Sequence, residues 1–258
     1  MLVAGVLAVA WIIPFFFPDT ALKELPWESG PFNIRFIGAV YLACLMAVLV
    51  SLSAFRWSPG RVLLPMVSVF TGLILVVSLL YTDRFDSAKL GTWIWFVLYV
   101  IVPVAAIYVY LRFRSLPPAD PSPTPAAWRT YLILLAAVFG AYGIALFAFP
   151  GSVTDFWPWE VDAFHGRLYS AIFVTVAVAA LAISRVAAPI ELLLVGLTFL
   201  VGGAFSILGL VIVDGSEETV DWSALGTWVW IGAFAALLVS GLALALRSRT
   251  AATRPTVA

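Results

Sequence analysis

Charge is scarce in this chain. Asp, Glu, Lys and Arg together make up 11% of its 258 residues, under half of the about 25% usual in soluble domains. Fourteen basic residues balance fourteen acidic ones, which excludes the basic footprint of a nucleic-acid-binding protein. One histidine, His165, excludes bis-histidine haem ligation within the chain. One cysteine, Cys44, excludes an intrachain disulfide; set in an apolar run, it reads as a small packing residue. A phosphate-cradling glycine loop with a lysine is missing, and no nucleophile–base pair stands out along the sequence. Mid-run carboxylates and histidines, which proton relays and ion-coupled transporters usually need, are also missing. No cofactor is expected.

What fills the chain instead is apolar: 63% hydrophobic residues and a mean hydropathy of +1.07. A bilayer crossing takes about 20 such residues. Runs of that kind are expected near 34–55, 62–81, 90–111, 130–149, 166–184, 189–213 and 225–246. The first run, 2–17, is short. Ala8-Val9-Ala10 resembles a cleavage site, but no basic residue precedes the run, so it reads as a retained helix rather than a signal peptide. The expectation is an all-α integral membrane protein with eight crossings.

Pro26-Trp27-Glu28 with Arg35 returns as Pro158-Trp159-Glu160 with Arg167, 132 positions on. Phe15, Phe17, Pro18, Phe32, Ala39 and Ala47 map onto Phe147, Phe149, Pro150, Phe164, Ala171 and Ala179 at the same offset. Leu90-Gly91-Thr92-Trp93-Ile94-Trp95 answers Leu225-Gly226-Thr227-Trp228-Val229-Trp230 at an offset of 135, with Asp86 matching Asp221. Two parallel four-helix repeats follow: 1–112 and 129–246, a Pro-rich extended linker over 113–128, and a disordered tail over 247–258. By the offset, Arg129 corresponds to a position before Met1, so the first helix reads as a trimmed copy or the start lies upstream. Ala39, Ala43 and Ala47, with Ala171, Thr175 and Ala179, are spaced for close helix packing. They are expected to face each other near a two-fold axis along the membrane normal.

Sorting the charges gives an orientation. Nine basic residues (Arg56, Arg61, Arg112, Arg114, Arg129, Arg185, Arg247, Arg249 and Arg254) share one side with two acids, Asp120 and Glu191. Lys23, Arg35, Arg84, Lys89 and Arg167 share the other with twelve acids. The basic excess marks cytoplasmic loops, so both termini are expected in the cytoplasm of a cell whose inner (plasma) membrane holds the protein. Eight tryptophans gather at the outer level, including Trp27, Trp93, Trp159 and Trp228.

The candidate site residues come from the outer loops. Trp27, Glu28 and Arg35, with Trp159, Glu160 and Arg167, are candidates for ligand binding or for a structural clamp in which each arginine meets its own repeat's glutamate. Asp155, Glu160, Asp162 and His165 offer oxygen and imidazole ligands, but their spacing matches no established metal motif. His165 reads as a helix-mouth residue bonding locally.

The segment Phe149-Pro150…Trp157-Pro158-Trp159-Glu160…Arg167-Leu168-Tyr169-Ser170-Ala171 resembles bacterial multi-pass membrane proteins with a Pro-Trp element ahead of a helix that opens on arginine and small residues. The resemblance implies a multi-pass fold and brings no activity, cofactor or substrate. The first functional expectation is a non-enzymatic small-solute or lipid transporter, or a pore, at the junction of the repeats. The alternative is a structural or accessory subunit, and the third is a lipid-active enzyme at the outer rim. The expected partners are the lipid bilayer and a second copy or another membrane protein.

Overall fold

The computed structural model describes residues 2–54 and 57–252. Arg56 and Arg254, both counted in the basic bias, lie outside the described residues, as does 253–258 of the expected tail.

The chain is all-α. Helices α3 (Pro31–Ala54), α4 (Gly60–Leu80), α5 (Leu90–Phe113), α6 (Ala126–Ala148), α8 (Ala163–Ile183), α9 (Pro189–Glu217) and α10 (Leu225–Ala252) include seven segments long and apolar enough to cross a membrane. The short α1 (Leu2–Phe16) bends by 118° into α2 (Pro18–Glu24) and makes an eighth span if that pair is counted as one. Pro18 explains the break: it opens α2 and cannot donate back to the preceding turn. Pro150 does the same for the single turn α7 (Pro150–Val153). The cap residues ahead of these prolines, Phe17 and Phe149, share one backbone conformation, at φ −127°, ψ 59° and φ −132°, ψ 54°.

Two stretches depart from expectation. The tail expected to be disordered from 247 continues α10 to Ala252. The linker is extended only in part: Ser122–Pro123 pairs antiparallel with Val186–Ala187, and α6 starts at Ala126. Thr124 fixes this join by donating its N–H to the Arg185 carbonyl and its hydroxyl to that of Ile183.

Helix packing is crosswise. In the first half α1 lies on α3 and α4 on α5; in the second α6 lies on α8 and α9 on α10. Between halves, α3 packs on α9 and α8 on α4. The alanines Ala39, Ala43, Ala47, Ala171 and Ala179 are all buried, but α3 and α8 do not face each other through them. A Cβ placed on Gly202 of α9 would stand 3.4 Å from that of Ala43, while Ala177 of α8 meets Gly140 of α6. Ala43 of α3 thus faces a glycine of α9, and α8 meets a glycine of α6 through Ala177, outside the Ala171–Thr175–Ala179 set. On Gly196 a Cβ would lie 2.7 Å from the Ala245 backbone nitrogen, and on Gly203 equally close to that of Leu238. Lipid gives helices no hydrophobic drive to associate, so α9 and α10 rely on this backbone proximity.

At the Trp-rich ends several contacts recur at corresponding positions of the two halves. Trp27 meets Phe164 edge-on at 5.6 Å, and Trp159 stacks on Phe32 at 5.4 Å. Trp27 meets Trp95 at 4.7 Å, and Trp159 meets Trp230 at 5.3 Å. Thr92 donates to the Asp86 carbonyl and Thr227 to that of Asp221; Trp93 donates to Ser87 O and Trp228 to Trp222 O.

At the Arg-rich end the halves meet through charge. Glu191, wholly buried in the first turn of α9, accepts from Arg61 Nε at 2.8 Å and Nη2 at 2.6 Å, and from Ser58 and the Ala188 amide. Arg61 also donates to the Val186 carbonyl. Both carboxylate oxygens are satisfied, which a buried charge requires.

Candidate functional site

The clamp expected within each repeat does not form. Neither Glu28–Arg35 nor Glu160–Arg167 is an ion pair among the described residues. The cause is the tryptophan before each glutamate. Trp27 and Trp159 drive their rings into the aromatic seam, which leaves Glu28 and Glu160 exposed to solvent. Arg167 turns elsewhere: Nε donates to the Phe147 carbonyl, the guanidinium hydrogen-bonds the Tyr81 hydroxyl, and its carbon lies 5.6 Å over the Tyr81 ring. Arg35 has a buried Nε without a hydrogen-bond acceptor among the described residues.

The candidate metal set does not assemble either. Among the described residues no three His, Cys, Asp or Glu side chains gather to hold a cation. Of Asp155, Glu160, Asp162 and His165, only Asp162 and His165 come together.

That pair forms part of a chain of three. Asp162 is the N-cap of α8, where its Oδ1 accepts the His165 backbone N–H at 2.8 Å and lies 2.7 Å from His165 Nδ1. On the far side of the ring, His165 Nε2 lies 3.2 Å from Ser29 Oγ. A carboxylate can only accept, so Nδ1 donates to Asp162, and in the tautomer that keeps its single proton there Nε2 is free to accept from the serine hydroxyl. This is the order of contacts in a serine hydrolase relay: nucleophile, base, and a carboxylate that orients the base. The same contacts also clasp the halves, because Ser29 belongs to the first and the other two to the second.

Electrostatics favour the charged carboxylate. Burial pushes Asp162 upward, but the His165 hydrogen bonds and the charges of His165 and Arg84 outweigh it, bringing the group down to about 2. Arg84 Nη1 stands 3.6 Å from Asp162 Oδ2. His165 is buried at 4% exposure, whereas Ser29 is half-buried. Gly30 follows the serine, and a Cβ built on it would meet nothing within 4 Å. Neither the Ser29 nor the Gly30 amide has a hydrogen-bond acceptor among the described residues.

Around this chain the seam is packed and largely apolar. Asn33 brings polarity to it, accepting from Trp159 Nε1 at 2.8 Å and the Tyr169 hydroxyl at 2.6 Å. Below it, among Trp27, Tyr41, Ile74, Trp95, Leu168 and Tyr169, lies a cavity of about 40 Å³.

Sequence reasoning passed over Ser29 because its position 132 residues on is Val161, so the repeat gives it no echo. The signal that singles it out is the divergence opposite: Gly30 and Asn33 in the first half stand where Asp162 and His165 stand in the second. Comparison with family models, with curated proteins and with solved structures found no match.

Proposed function

We propose that the protein is a membrane-embedded hydrolase or acyltransferase, with Ser29 as nucleophile and His165 as its general base, positioned by Asp162. The observation that carries this reading is the continuous Ser29–His165–Asp162 hydrogen-bond chain. His165 would take the Ser29 proton as Oγ attacks an acyl carbonyl, and the depressed Asp162 carboxylate would stabilise the imidazolium. The Gly30 amide, which has no hydrogen-bond acceptor among the described residues, is the backbone donor next to the serine that a developing oxyanion would call on.

The chain further reads as a tandem duplication, its halves related by a two-fold axis along the membrane normal. The repeated contacts of Trp27 with Phe164 and Trp159 with Phe32 support it. The basic excess of the opposite loops supports cytoplasmic termini, with the Trp-rich ends and Ser29 facing outward from the plasma membrane. A transporter or pore, the first expectation, asks for a polar path between the halves. The cavity of about 40 Å³ beside Tyr41 and Tyr169 is lined mainly by apolar side chains and is not itself such a path; the hydrogen-bond chain at the rim is the more specific observation.

The test is esterase activity of full-length protein in nanodiscs on 4-nitrophenyl butyrate. Ser29→Ala and His165→Ala should each cut kcat by about a hundredfold or more. Turnover equal to wild type in both variants would sink the proposal.

A further inference from the structure

Resting on that nucleophile, we infer that the substrate is a glycerophospholipid with a zwitterionic headgroup, cleaved at an acyl ester. The first observation is depth. Ser29 stands two residues before α3 begins at Pro31, and His165 is the third residue of α8. Both long helices therefore enter the membrane at the reactive serine. The exposed rings of Trp93 and Trp228, at 60% and 55%, tie their indole N–H groups to backbone carbonyls at the same ends. Indole rings settle at headgroup level, which is where a glycerophospholipid carries its ester carbonyls, just below the phosphate.

The second observation is charge. Arg84 has a half-exposed side chain beside Asp162 and points to a phosphate contact, since a guanidinium presents more donors than one 3.6 Å carboxylate contact uses. Glu28, adjacent to the serine, and Glu160, two residues before Asp162, are exposed and form no ion pair among the described residues. Exposed carboxylates on the two loops that carry the nucleophile and its base repel a net-anionic headgroup and suit an ammonium. One cation with two carboxylates matches a phosphate bearing an amine.

The step balances as a hydrolysis. Ser29 Oγ bonds to the acyl carbon as its proton moves to His165 Nε2. The ester C–O bond then breaks, with that proton going to the leaving glycerol oxygen. Water attacks the acyl-serine, gives a proton to His165 that returns to Ser29, and releases the fatty acid.

The experiment uses full-length protein with three substrates: 4-nitrophenyl butyrate, phosphatidylethanolamine vesicles and phosphatidylglycerol vesicles, with Ser29→Ala as control. Fatty acid should be released from the ethanolamine lipid about tenfold faster than from the glycerol lipid, the value of one charge-assisted hydrogen bond. Arg84→Gln should lower the ratio of ethanolamine-lipid to soluble-ester turnover by about the same factor. Soluble-ester turnover that needs Ser29, with the two lipids cleaved equally or not at all, would overturn the substrate class and leave the nucleophile standing. No Ser29-dependent turnover of any of the three would overturn both.

Discussion

His165 Nε2 stands 3.2 Å from Ser29 Oγ although the two residues are 136 positions apart and come from different halves of the chain. Neither half could build the arrangement alone. Asp162 and His165 need the opening turn of α8, and Ser29 needs the loop before α3 brought across by the interlocking of Trp27 with Phe164 and Trp159 with Phe32. The hydrogen-bond chain therefore depends on the join between the halves.

The opposite end of the seam depends on Arg61 and Glu191. Glu191→Ala leaves Arg61, whose side chain is 27% exposed, without its carboxylate and should destabilise, by less than the ~3–5 kcal/mol of a fully buried pair. Replacing both residues with apolar ones, Arg61→Met with Glu191→Leu, should cost much less, because no uncompensated charge remains. Thermal unfolding in nanodiscs checks both; equal losses in the single and double variants would contradict the ion-pair account.

Much of this fold was legible in the sequence, because hydrophobic length fixes a helix in lipid almost regardless of context. The long runs from 34 to 246 are helices, and Pro18 and Pro150 break the chain where their ring chemistry requires. Partner choice was not legible. The sequence pairs Arg35 and Arg167 with Glu28 and Glu160, but the indoles of Trp27, buried, and Trp159, partly buried, pack into the seam while both carboxylates stay exposed. Glu191 lay in plain view near the end of α9, yet its partner is 130 positions away. Nor does alanine spacing say which helix it will face: α3 meets the glycines of α9, not the alanines of α8.

The acid side of the pH profile carries a mark of Asp162. Its folded-state group sits at about 2, below the ordinary 3.8, so ionised Asp162 stabilises the fold above about 4 and that contribution fades as pH falls toward 2. The carboxylate is 37% exposed, so solvent reduces the effect. Asp162→Asn keeps an N-capping oxygen and removes only the charge. The Tm difference between wild type and this variant should be present above about pH 4 and shrink toward zero near pH 2; a difference that grows with acidity would refute the assignment.

Orientation is open to thiol labelling. In a Cys44→Ser background, Ser216→Cys and Ser115→Cys place exposed thiols at the Trp-rich and Arg-rich ends. Ser58 is unsuitable because it is buried against Glu191. An impermeant maleimide on intact cells should modify Ser216→Cys and spare Ser115→Cys. The reverse pattern would put Ser29 in the cytoplasm.

The central claim is that Ser29 is a nucleophile, and a fluorophosphonate probe reads this directly. Such a probe forms a stable phosphonyl ester only with a serine activated by a neighbouring base. Full-length protein in nanodiscs should take up one probe, mapped by peptide mass to Ser29, and His165→Ala should suppress the labelling while the protein stays folded. Wild-type protein that remains unlabelled, or that carries the label on another serine, would contradict the account.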